Sequence, residues 1–149
     1  MSKEYSPQEL PAEMQNRATY KVVTVANPAA GADFSATVPA GKMWDSIAVH
    51  FHLATAVAVA TRVAKITISD GTTMFAETRA GATQVASLTY EYTFVPNMQA
   101  LAEQGLVVGG AMPKVVLNAG SIISSSIYNI QAADQISNIA LYVREIDIA

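Results

Sequence analysis

From residue 43 to residue 55 the side chains alternate in character along the chain. Met43, Ile47, Val49, Phe51 and Leu53 fall in one phase; Trp44, Ser46, Ala48, His50, His52 and Ala54 fall in the other. A period of two places successive side chains on opposite faces of a strand, so this stretch belongs to a sheet with one face buried. The alternation returns over 85–95, where Leu88, Tyr90, Tyr92 and Phe94 oppose Ser87, Thr89, Glu91 and Thr93. Two such segments commit the chain to β structure.

Turn signals divide the rest into further strands. Residues 20–26 close at Asn27-Pro28, and 33–38 at Pro39-Ala40-Gly41. Residues 62–69 end at Asp70-Gly71, a hairpin signal, with 72–78 as the returning strand. A long connection is expected over 96–113, bounded by two prolines and containing Gly105, Gly109 and Gly110. Residues 114–117, 121–130 and 136–146 follow, the last two split by Gln131-Ala132-Ala133-Asp134. The Ala-rich stretch 54–64 favours a helix by propensity, but Val57, Val59 and Val63 are β-branched and no helical period appears, so it is expected as a strand end, a loop and a strand start. Two segments also echo each other, Val38-Pro39-Ala40-Gly41 and Leu117-Asn118-Ala119-Gly120. Each joins a short strand to a long one through a glycine free to take positive φ. The expectation is an all-β, two-sheet antiparallel β-sandwich, jelly-roll-like, of about eight strands.

Residues 1–18 stand apart. They are polar, lack the alternation and carry Pro7 and Pro11; Ser6-Pro7-Gln8-Glu9 fits a capping box of at most one helical turn. The expected division is an N-terminal arm, 1–18, and a sandwich domain, 19–149. Tyr5, Leu10 and Met14 are too few apolar side chains to fold the arm alone, and are expected to bind a partner protein through shallow pockets.

At 149 residues folding removes roughly 70% of the unfolded chain's surface from water, enough for a core without metal or disulfide. Charged residues are 14% of the chain, against about 25% in ordinary soluble domains, which points to a surface partly covered in an assembly. Net charge is −3 and Lys21, Lys42, Arg62, Lys65, Arg79, Lys114 and Arg144 are scattered singly. Nucleic acid, which needs several cations on one face, is not an expected partner. Cysteine is absent, excluding thiol catalysis and thiolate metal sites. No apolar run approaches the roughly 20 residues of a membrane span, and the N-terminus lacks a secretory pattern. The expectation is a protein made in the cytoplasm, with no membrane partner.

Candidates for chemistry are sparse. His50 and His52 share one strand face, the way cupins present two metal ligands, but the distance from Gly41 and the residues Ala56 and Val57 after the pair do not continue that pattern. There is no third histidine, and two imidazoles alone hold a divalent ion weakly. The pair is expected as part of a polar sheet face, with no metal or other cofactor. Ser124-Ser125-Ser126 lacks the strained elbow that exposes a nucleophile. Asp33, Asp45, Glu77, Glu91 and Asp134 could supply paired carboxylates, yet nothing in the sequence brings two together, and Asp70 and Asp134 read as turn residues. Trp44 is expected in a core or interface rather than as a sugar platform. No catalytic residue is expected, and the chain reads as non-enzymatic.

Three segments resemble small virion proteins of tailed bacteriophages. They are Val38-Pro39-Ala40-Gly41-Lys42-Met43-Trp44, Ile66-Thr67-Ile68-Ser69-Asp70-Gly71, and Tyr128-Asn129-Ile130-Gln131-Ala132-Ala133-Asp134-Gln135-Ile136-Ser137-Asn138. The resemblance spans roughly residues 36–146 and rests on turn signatures. It implies a jelly-roll-like structural protein of the virion, most often a capsid decoration (cement) protein on the capsid surface whose partner is the major capsid protein. A tail-associated receptor- or carbohydrate-binding module is the alternative. Low charge and an Ala-lined face at Ala48 and Ala54 add the expectation of a homotrimer.

Overall fold

The computed structural model describes residues 18–99 and 101–148. Among these there is no helix. The strands are β1 (Ala18–Val25), β2 (Ser35–Thr37), β3 (Lys42–Ala54), β4 (Arg62–Ser69), β5 (Met74–Gln84), β6 (Thr89–Pro96), β7 (Leu101–Gln104), β8 (Val107–Met112), β9 (Leu117–Asn118), β10 (Ile122–Ser125) and β11 (Gln135–Asp147). They form an all-β sandwich. One sheet runs β1-β11-β3-β6-β8-β7, with β9 also paired to β3, and the other runs β2-β10-β4-β5.

The inner faces pack as the alternation requires. Val49, Phe51 and Leu53 of β3, Tyr92 and Phe94 of β6, and Leu141 and Val143 of β11 meet Ile66 and Ile68 of β4 and Ile123 of β10, all at most 1% exposed. Phe51 centres this core, stacked on Tyr92 at 5.2 Å and meeting Phe34 edge-on at 5.4 Å. Burying a side chain of this size contributes roughly 1.5–3 kcal/mol. Burial pushes the Tyr92 hydroxyl well above the usual phenol range, with Tyr90 adding to the effect. That hydroxyl donates to Gln84 Oε1 at 2.9 Å.

The expected hairpin forms. Asp70 Oδ1 accepts from the amides of Thr72 and Thr73 at 2.8 and 2.7 Å, and Gly71 takes a φ of 99°. The two echoed turns lie side by side: the Val38 amide donates to Ser121 O, and the Gly120 amide donates to Val38 O, at 2.9 and 3.0 Å. Gly41 and Gly120 both have positive φ, 74° and 87°. Residues 55–61 are loop between the end of β3 and the start of β4, with no helix.

Some expectations change, and strand 121–130 shortens to β10. The connection 96–113 contains two strands, β7 and β8, and β8 pairs with β6 in parallel. Gly109 and Gly110 therefore sit inside a strand, and Gly110 is required there by space. A Cβ on it would lie 2.5 Å from the Phe94 ring. The strand after the hairpin runs on to Gln84, so the turn before β6 covers 85–88. Trp44 lies in the core at 1% exposure, as expected of its type, although its phase in the alternation points outward. The cause is a register shift between Ala48↔Tyr142 and Asp45↔Arg144, where β3 uses one residue more than β11 and the phase reverses.

Candidate functional site

The outer face of the larger sheet gathers the polar side chains that alternation turned away from the core. His50 pairs in register with Ala140 of β11 and Thr93 of β6; His52 pairs with Ser137 and Glu91. His52 Nε2 lies 2.9 Å from Glu91 Oε1, and His50 Nε2 lies 3.8 Å from the same oxygen. His50 Nδ1 faces Thr93 Oγ1 at 3.2 Å, and the two imidazoles meet edge to face at 5.3 Å. All three side chains are between about a quarter and a half exposed. His50, His52 and Glu91 can each present one ligand atom within 4.8 Å of the others.

A second bulge shapes this cluster. Between Ser137↔His52 and Ala140↔His50, β11 carries one residue more than β3. Asn138 takes a φ of 51° there and brings its Nδ2 to 3.4 Å from His52 Nε2. Bulges commonly re-aim a side chain in this way. The third member of the cluster was hidden in the sequence because Glu91 lies 39 residues from His52. Its phase on the polar side of β6 was the available signal, since the aromatic residues of β6 fix which face is outside.

Beside the cluster the same face turns apolar. Tyr20 stacks on Tyr142 at 5.8 Å, with Val22 in register with Tyr142 and Ala48 next in the row. Tyr20, Val22 and Tyr142 are 58%, 60% and 49% exposed. On the other sheet, Val63, Lys65, Glu77, Arg79 and Tyr128 line a shallow depression.

Other residues singled out above have structural partners. Trp44 donates its indole N–H to Glu145 Oε2 at 2.8 Å, and Lys21 pairs with Glu145 Oε1 at 2.9 Å. Burial raises the Glu145 pKa, but the Trp44 and Lys21 hydrogen bonds and the charges of Lys21 and Lys42 outweigh it and leave it below the usual range. Ser125 is buried, donating to Asp33 Oδ1 at 2.8 Å and accepting from the Phe34 amide. Asp45 pairs with Arg144, Glu77 with Lys65 and Asp134 with Arg62. The candidate carboxylates are thus each engaged by a different group. Tyr5, Leu10 and Met14 lie outside the described residues.

Fold and surface together define a two-sheet β-sandwich with a His-His-Glu cluster beside an exposed aromatic strip on one face. Comparison with protein-family models, curated proteins and solved structures found no match to this chain.

Proposed function

We propose that this protein is a non-enzymatic structural component of a virion, decorating and stabilising a phage capsid by bridging neighbouring major capsid subunits. The observation that carries the reading is the strip of Tyr20, Val22 and Tyr142, large apolar side chains left half exposed at the edge of the larger sheet. Contiguous exposed apolar surface of this kind marks a protein-interaction face. The low charge of the chain and the phage-like turn motifs support the same reading. The arm precedes edge strand β1, which carries Tyr20 and Val22, directly in the chain. A tethered arm raises the effective concentration of a weak second contact. Contacts of about 1,200–2,000 Å² suffice when many copies act together. A homotrimer on the capsid surface is the assembly proposed, with neither nucleic acid nor membrane as partner.

The test is particle stability. Shells stripped of the protein should release their genome at a lower temperature, and adding it back should restore them. Tyr142→Ser and deletion of residues 1–16 should each weaken rebinding while leaving the melting of the isolated domain nearly unchanged. Copies confined to the tail, with no effect on shell stability, would favour the receptor-binding alternative.

A further inference from the structure

We propose that His50, His52 and Glu91 form a binding site for one divalent transition-metal ion of the zinc class. The inference is independent of the capsid reading. Two imidazoles and a carboxylate, with no thiolate, are a ligand set suited to Zn²⁺, which takes three protein ligands and leaves a fourth position open. Bonds of about 2.0–2.2 Å in a tetrahedral arrangement place ligand atoms roughly 3.3 Å apart. The observed separations from Glu91 Oε1, 2.9 Å to His52 and 3.8 Å to His50, fall on either side of that value. Small rotations of partly exposed side chains bring them to it.

The surroundings point the same way. A ligating imidazole characteristically donates its other ring N–H to a fixed acceptor, which sets the tautomer. Thr93 Oγ1 stands 3.2 Å from His50 Nδ1; with the N–H there, the lone pair of Nε2 faces Glu91. The backbone is rigid where it matters. His50 and His52 sit on a central strand paired on both sides, with β11 and β6. The backbone positions of both histidines are therefore set before metal arrives, and only side chains need to rotate.

The experiment is calorimetric titration of metal-stripped full-length protein with zinc chloride. One saturable zinc per chain is expected, together with the visible absorption of a tetrahedral site when cobalt(II) replaces zinc. Thr93→Val should weaken binding about 10–100-fold, and His50→Asn, His52→Asn and Glu91→Gln each by more. All four positions are on an outer face, and unchanged circular dichroism separates loss of ligands from loss of fold. No saturable uptake by the wild-type chain, or uptake retained in the H50N/H52N/E91Q triple variant, would overturn the proposal.

Discussion

Arg62 and Asp134 form a bidentate ion pair in which neither side chain has any exposure to solvent. Arg62 Nε and Nη2 donate to the two carboxylate oxygens of Asp134, each at 2.9 Å. Arg62 Nη1 donates to Ala60 O, and the amides of Ala56 and Gln131 donate to Asp134 at 2.8 Å. The pair pins three loops to one end of the sandwich: 55–61, 129–134 and, through the Gly31 amide donated to Asp134 O, 26–34. It explains why an aspartate belongs in the turn before β11.

Breaking this pair from either side leaves a buried charge without its partner. Arg62→Ala and Asp134→Asn are each expected to cost about 3–5 kcal/mol. Lys65→Ala, which removes an exposed pair with Glu77, should cost under about 1 kcal/mol. Urea denaturation of the three variants measures the difference.

Stability should fall in acid. Burial raises the Asp134 pKa, but hydrogen bonds from Arg62 and from the Ala56 and Gln131 amides, with the Arg62 charge, leave it below the ordinary value; Glu145 is lowered too. A carboxylate lowered on folding stabilises above its unfolded pKa, about 3.9 for Asp and 4.3 for Glu. That contribution is lost as pH falls through the lower folded value. The denaturation midpoint should therefore drop below about pH 4, and Glu145→Gln should flatten part of the acid limb.

Gly110→Ala should destabilise by roughly 1–3 kcal/mol, the usual cost of overpacking. Its new methyl would meet the Phe94 ring on one side and Arg79 O, at 3.2 Å, on the other. Adding Phe94→Leu to it should recover part of the loss in a double-mutant cycle, since the ring is the movable neighbour.

Trp44 is the single tryptophan, so fluorescence reports on it alone. Emission should be blue-shifted and resist acrylamide quenching in the native state, moving red on unfolding. Trp44→Phe leaves Glu145 without its indole donor and should cost about 1–3 kcal/mol.

Much of this fold can be derived from the residues. The alternation over β3 and β6, the Asp70-Gly71 hairpin and the paired Gly41 and Gly120 turns are local properties, and local sterics decide them. The missed strands β7 and β8 show where that stops. Two glycines in β8 look like loop until the Phe94 ring is placed against Gly110, a contact across the parallel pair that no nearby residue announces. Trp44 and Asn138 show the same limit more sharply. Each sits beside a bulge, and a single extra residue reverses which face a side chain occupies. The polar character of His50, His52 and Glu91 was legible, as was the outward phase of each. Their meeting was not, because strand pairing between β3 and β6 sets it, and pairing is chosen by how the whole core packs. Residue type and period therefore determined the layers and the outer face, while register, which only tertiary packing decides, made three separated side chains into one cluster.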